Sequence, residues 1–399
     1  MATSVPGALN TEPCDPFNYS YSSIPFVDYN RREMEASYTT KLALTLTCRK
    51  WNLIATPLLY EVIIMPNDRL LRSLYKALMK FHARQDTPEN EADRQHGPGW
   101  WTRRFELHKF SATCGQSLCG VLRSFPHLEI MCVTGGHQLF FHEAMDSLPK
   151  SLRKLHFDSV TTSQRAMKTL LARCSLLRSV VFVEADTPIN SGTLTQAPAL
   201  RLMSFGYNDS PPETIVANPQ MQQLYISPIT PRNGLHFAQA CTVFLKVQGA
   251  YLNTVYLDVP DTGIRGLRGD GAEVNICVQQ LAEHCPNLAH LVIIIPKIWH
   301  MPLLSSLPAS VTHLGVFCVV GEARSSYWSS FFYFLSVLSD NLAISLRVVR
   351  LLNQRNAEDI RRCAERGEDV GQEYLKRCRF RVEDWRGEEL LPASEYSDW

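Results

Sequence analysis

Leu152-Arg153-Lys154-Leu155-His156-Phe157 and Leu177-Arg178-Ser179-Val180-Val181-Phe182 share one pattern, apolar-x-x-apolar-x-apolar. The pattern returns at Leu128…Met131…Val133, Leu200…Met203…Phe205, Met221…Leu224…Ile226 and Leu252…Val255…Leu257. It recurs at Leu288…Leu291…Ile293 and Val311…Leu314…Val316, with weaker copies at Thr102…Phe105…Leu107 and Leu346…Val349…Leu351. The start positions 102, 128, 152, 177, 200, 221, 252, 288, 311 and 346 are separated by 26, 24, 25, 23, 21, 31, 36, 23 and 35 residues. One six-residue match means little. Ten in register, nearly all separated by helix-length spacers, specify an architecture.

Most of these intervals fall in the roughly 20–29 residue window of leucine-rich repeats, and the three long ones accommodate loop insertions. Apolar helical stretches lie between the strands, such as 166–174 and 274–284. A strand-plus-helix unit cannot bury its own apolar face, so neighbours must stack. The expected fold class is α/β: a curved solenoid with a parallel sheet over residues 101–352. An ordinary α/β sheet with unrelated strands is the alternative.

Outward from this array, residues 1–38 are rich in Ser, Tyr, Asn and Pro without helical periodicity, and are expected to form a disordered tail. Residues 39–83 are dense in helix formers, with a break expected at Pro57. Asn67-Asp68 can cap a helix whose stripe is Leu70, Leu71, Leu74, Leu78 and Phe81. Residues 84–100 read as a linker or loop. Residues 350–390 hold ten basic and ten acidic side chains, the mark of a solvated surface, so 353–399 is expected to be a charged cap and tail.

Composition bounds the function. Lys plus Arg is 40 and Asp plus Glu 39, a net charge of +1 that argues against nucleic acid or an anionic membrane as partner. No run of about 18 apolar residues suits a membrane span. Twelve scattered cysteines in 399 residues are too sparse for a disulfide scaffold, and the N-terminus lacks a signal-peptide pattern. Reduced thiols in the cytoplasm or nucleus are expected.

No catalytic motif is found, and an enzyme is not expected: no phosphate-binding loop, nucleophile elbow or His-Glu-x-x-His occurs. Gly263, Gly266, Gly269 and Gly271 lie in an expanded repeat and read as a flexible loop. Cys114 and Cys119, near His108, Cys132, His137 and His142, lack the second close cysteine pair of a zinc site. Neither a metal nor a cofactor is expected. Cys174, Cys241 and Cys285 sit where small apolar thiols usually fill core.

Strand side chains alternate, so residues flanking the second apolar position face the concave side. They include Arg104, Glu106, Lys154, His156, Tyr225, Tyr256, His290, His313 and Arg350, and the preceding position adds Arg103, Glu129, Arg153, Arg178 and Arg201. Ten strands at about 4.8 Å span roughly 45 Å, the scale of a protein interface. Tyr225 and Tyr256 are the expected aromatic anchors, flanked by Arg104, Arg153, Lys154, Arg178 and Arg201, for a protein target.

One segment carries a family resemblance. Leu44, Cys48, Arg49, Trp51, Ala55, Pro57, Leu59 and Tyr60 match Leu-x-x-x-Cys-Arg-x-Trp-x-x-x-Ala-x-Pro-x-Leu-Tyr. This resembles the second half of the F-box in fungal F-box proteins with irregular leucine-rich repeats. The Leu-Pro helix of the first half has no counterpart before Leu42. The resemblance implies a substrate-recognition adaptor that docks on the Skp-family linker of a cullin-RING ubiquitin ligase. Leu46, Trp51, Leu53 and Leu58 are the apolar residues that would meet the linker. The same side chains could instead pack on the helix of Leu70 and the first repeat, leaving an interaction module that does not engage the ligase.

Overall fold

The computed structural model describes residues 9–13, 17, 31–85, 97–108, 114–134, 141–158, 164–183, 198–205, 216–226, 234–259, 272–297, 304, 307–320, 325–341, 345–368 and 370–391. The glycine-rich stretch at 263–271, most of the 84–100 segment and most of the first 30 residues lie outside these. The chain forms two compact units, residues 1–13 with 26–206 and residues 14–25 with 207–399.

Among the described residues the first unit holds the strands β1 (Val62–Met65), β2 (Arg104–His108), β3 (Ile130–Thr134), β4 (Lys154–Asp158), β5 (Ser179–Val183) and β6 (Leu202–Phe205). The second holds β7 (Gln223–Ile226), β8 (Thr254–Asp258), β9 (His290–Lys297), β10 (His313–Val320), β11 (Val348–Leu351) and β12 (Arg381–Glu383). Within each unit the strands pair in parallel and in chain order. All ten strands expected from the sequence are present, each beginning two residues after the first apolar position of its motif. This is a leucine-rich-repeat architecture.

The register explains the motif. Phe105, Met131, Leu155, Val180 and Met203 are successive Cα partners in the first unit. Leu224, Val255, Leu291, Leu314 and Val349 are their counterparts in the second. Leu155, Leu224 and Leu291 are fully buried. The first apolar residue of the motif closes a tight turn: Leu128, Leu152, Leu177, Leu252 and Leu288 each donate their N–H to the carbonyl three residues back. The next residue starts a ladder in which Glu129, Arg153, Arg178 and Arg201 donate to the carbonyls of Arg103, Glu129, Arg153 and Arg178 at 2.7–2.8 Å. Each repeat therefore satisfies its backbone on the preceding one.

Helices return the chain between strands. In the first unit these are α1 (Arg31–Thr47), α2 (Arg49–Tyr60), α3 (Asp68–Gln85), α4 (Gly115–Arg123), α5 (Phe141–Ser147) and α6 (Gln164–Arg173). From α3 to α6, each packs on the next. The second unit carries α7 (Gly234–Gln248), α8 (Ala272–His284), α9 (Ser325–Asn341), α10 (Gln354–Glu365) and the short turn α11 (Gln372–Leu375).

Several boundaries differ from expectation. Residues 31–38 belong to α1 rather than to a tail. The break in the N-terminal helical segment falls at Cys48, which is extended at φ −160°, ψ 167°. Pro57 is accommodated inside α2, three residues before its end. Asn67 caps α3 through its side-chain oxygen, which accepts from the Leu70 N–H at 3.1 Å. Leu71 and Leu78 form the buried stripe of that helix, while Leu70 is exposed. The strand ladder is longer than expected at both ends: β1 joins from the F-box-like segment, and β12 from the charge-rich region read as a cap.

Truncating a residue of the in-register column should cost core packing. Leu155→Ala and Leu291→Ala are each expected to lower stability by about 2–5 kcal/mol, read by thermal or urea denaturation. A loss below 0.5 kcal/mol at both sites would contradict the packing role of the column.

Candidate functional site

The alternate face of the strands carries the sequence-nominated residues, and much of it is buried. Tyr225 and Tyr256 are cross-strand neighbours, as expected. Both are fully buried, which corrects their reading as exposed anchors. The Tyr225 hydroxyl donates to the Asp258 carboxylate, and the Tyr256 hydroxyl to Oε1 of Gln223 at 3.4 Å. A buried tyrosine needs such partners, and the neighbouring strand supplies them.

Arg104 is likewise not a free rim cation. It is 6% exposed, and its Nε donates to Glu106 Oε1 at 2.6 Å. Glu106 also accepts from His108 Nε2 at 3.3 Å, and His108 Nδ1 meets the Thr134 hydroxyl. Burial pushes the Glu106 carboxyl up, but the His108 hydrogen bond and the Arg104 guanidinium outweigh it, and the net shift is downward. Half-buried Lys154 pairs in register with Ile130 of β3 and Ser179 of β5. On β2, Arg104, Glu106 and His108 thus form an internally paired charge cluster.

The residues just before the strands behave differently. Arg103 pairs with Glu129, and Arg153 Nε lies 3.9 Å from the same carboxylate. Arg178 and Arg201 share a carboxylate from outside the repeats: Glu12 pairs with Arg178 and lies 3.2 Å from Arg201 Nη1. Sequence reasoning found the arginines and missed Glu12, because it belongs to a segment without periodicity.

In the second unit Phe17 packs against His290, His313 and Arg350, three positions the strand alternation placed on this face. Arg350 is paired with Glu383 of β12 at 2.6 Å, both side chains 2% exposed. Neither Phe17 nor Glu383 carried a sequence signal: one lies in a polar segment, the other in a charge run.

The F-box-like helices present another surface. In α1 and α2, which pack together, Leu46 is 78% exposed, Leu53 62% and Trp51 44%, with Leu42 and Ile54 exposed beside them. Only Ala55 and Leu59 of α2 are buried. Leu58 is half-buried and lines a recess of about 190 Å³ with Pro57, Glu61, Trp100, Trp101, Arg103 and His127.

Cys174, Cys241 and Cys285 are buried core thiols. Desolvation pushes Cys174 up to about 11 and Cys285 up to about 12. Among the described residues no three His, Cys, Asp or Glu side chains converge as metal ligands would, and no helix is long and apolar enough to cross a membrane.

No family model and no curated protein matches the chain. Among solved structures the chain is similar to the leucine-rich repeat-containing protein LegL7 from Legionella pneumophila, at 11% identity and a TM-score of 0.29. The match covers 74% of this chain and 78% of that one. The repeat architecture stated above rests on strand register and turn geometry.

Glu106→Gln should cost about 3 kcal/mol at pH 7 by removing the carboxylate that pairs with buried Arg104 and with His108. The Glu106 carboxyl titrates below its ordinary 4.5 when folded, so its contribution is present above pH 4.5 and lost as pH falls through the folded value. Urea melts from pH 7 to pH 3 should therefore show a smaller acid loss in the variant; an identical pH profile would contradict the network.

The thiols make a separate prediction. At pH 8 iodoacetamide should label exposed Cys48 in the native protein, and Cys174 and Cys285 only after unfolding, read by mass spectrometry. Above the ordinary thiol value of 9.0 the unfolded chain loses protons that these folded thiols keep, so stability should fall as pH rises from 9.

Proposed function

We propose that this chain is a protein-interaction adaptor of an SCF-type cullin-RING ubiquitin ligase, working in the cytoplasm or nucleus. In this reading α1 and α2 dock on the Skp-family linker while the repeats hold a protein target. The adaptor does no chemistry; it raises the effective concentration of the target near the ubiquitin-charged partner.

The observation that carries the reading is the exposure of large apolar side chains on α1 and α2, Leu42, Leu46, Trp51, Leu53 and Ile54. Leu46, Trp51 and Leu53 expose large side chains beside one another in sequence, although the same helices bury Ala55 and Leu59. Large apolar side chains left to solvent within one short segment supply what a docking surface requires. They lie in the segment that resembles the F-box. The structure leaves Leu58 partly within its own recess, so Leu46, Trp51 and Leu53 are the residues on which docking depends.

A second reading is a leucine-rich-repeat interaction module that does not engage the ligase. It is favoured by the polar opening turns of α1, Arg31-Arg32-Glu33-Met34-Glu35, where the F-box family carries a Leu-Pro helix.

Binding of the full chain to a purified Skp-family linker by biolayer interferometry separates the two. Wild type should bind, and Leu46→Asp with Leu53→Asp should weaken binding by roughly thirtyfold, about 2 kcal/mol, with the melting temperature unchanged. No binding by the wild type would leave the ligase-independent module.

A further inference from the structure

In the second unit, the sheet face opposite the buried column holds a slot filled by the chain's own Phe17. The ring is 7% exposed. Its centroid lies 4.8 Å from the His290 ring and 4.9 Å from the His313 ring, tilted at 51° and 57°. The Arg350 guanidinium carbon lies 5.3 Å from the same centroid. The two imidazoles meet edge to face at 5.1 Å, as their pairing in register on β9 and β10 requires.

The walls are held without help from Phe17. Arg350 Nε and Nη2 both donate to Glu383 Oε2, at 3.1 and 2.6 Å. His313 Nδ1 lies 2.9 Å from the Thr312 hydroxyl, and His290 Nδ1 lies 3.4 Å from that of Thr254. A fixed cation beside tilted aromatic rings selects an aromatic guest, because the ring quadrupole is attracted to the guanidinium and prefers tilted neighbours. An aliphatic side chain would fill the space without these terms.

The occupant is not part of the repeat architecture. Phe17 comes from a segment rich in Ser, Tyr, Asn and Pro that lacks a core pattern. Five residues upstream, Glu12 makes its own contact with Arg178 and Arg201 in the first unit. Those three side chains are 42%, 30% and 50% exposed, so that anchor is solvated and weak.

Resting on the interaction-module reading, we propose that the His290–His313–Arg350 slot is the docking pocket for an aromatic side chain on an extended segment of a partner protein. Phe17 is its intramolecular plug. The partner segment carries a Phe, Tyr or Trp and binds by displacing Phe17. The tether gives Phe17 a high effective concentration, so the apparent affinity of the free partner is reduced by the fraction of time the slot stands open.

The test uses the full chain and a dye-labelled peptide of residues 15–21, Asp-Pro-Phe-Asn-Tyr-Ser-Tyr, in fluorescence anisotropy. Phe17→Ala should bind it at least about tenfold more tightly than wild type, the gain expected when an open fraction of about one tenth becomes complete. The peptide with its Phe replaced by Ala should not bind, and His313→Ala in the Phe17→Ala background should reverse the gain. Equal binding by wild type and Phe17→Ala, with matching circular dichroism, overturns the slot. If Phe17→Ala does not fold, Phe17→Leu serves instead: it fills the space without the ring's attraction to Arg350 and should raise peptide affinity severalfold, and no rise overturns the proposal. A stable dimer of Phe17→Ala saturated with peptide would also overturn it by assigning the face to a second copy. The Skp-linker assay is independent of these outcomes, so failure of the adaptor reading and failure of the slot are told apart.

Discussion

Everything in these two units depends on one constraint: residues in the same motif position stack directly on one another along the sheet. Parallel strands lie about 4.8 Å apart, so every side chain meets its own counterpart in the next repeat. For the second apolar position this is favourable without adjustment. Phe105, Met131, Leu155, Val180 and Met203 make one continuous column, and the helices cover it. The first apolar position adds the turn that ends each return, and the ladder of preceding residues ties repeat to repeat.

The same constraint is demanding for polar positions, because like groups are brought together. The chain answers it locally. On β2 the cation of Arg104 is met by Glu106 on its own strand, and Glu106 is met in turn by His108. Arg350 of β11 is met by Glu383 of β12. Removing either partner would strand a buried charge, whereas the pair together costs little. Along the row before the strands, Arg103, Glu129 and Arg153 alternate in sign, but Arg153, Arg178 and Arg201 then follow one another. Glu12 enters where that alternation fails, and it contacts the second and third of these arginines. The stacking rule thus explains why a carboxylate from outside the repeats is stabilised there.

What was legible in the sequence follows from the same physics. The ten central strands were readable because their apolar positions are set by burial, which repeats. β1 and β12 were not: Val62–Met65 lies between a helix and Pro66, and the three-residue β12 holds a single apolar residue, Val382, between two charges. The pairing of Tyr225 with Tyr256 was readable from register, but their burial was not, since Asp258 and Gln223 satisfy the hydroxyls from positions with no apolar signature. His290, His313 and Arg350 were placed on the correct face by alternation alone. Phe17 and Glu12 were invisible because a segment that binds a finished surface need not carry the surface's period.

The N-terminal helices obey a different logic. Within α1 and α2, Ala55 and Leu59 are the buried residues of α2, whereas Leu46, Trp51, Leu53 and Ile54 are exposed. In the repeats, by contrast, an apolar residue at a motif position is buried almost without exception. The burial of these motif positions contrasts with the exposure of several large apolar side chains on α1 and α2. The repeats are stabilised by their own stacking, which does not draw on the apolar side chains that α1 and α2 leave exposed. That surplus, rather than the sequence match by itself, is the physical ground for treating α1 and α2 as a surface made for a partner.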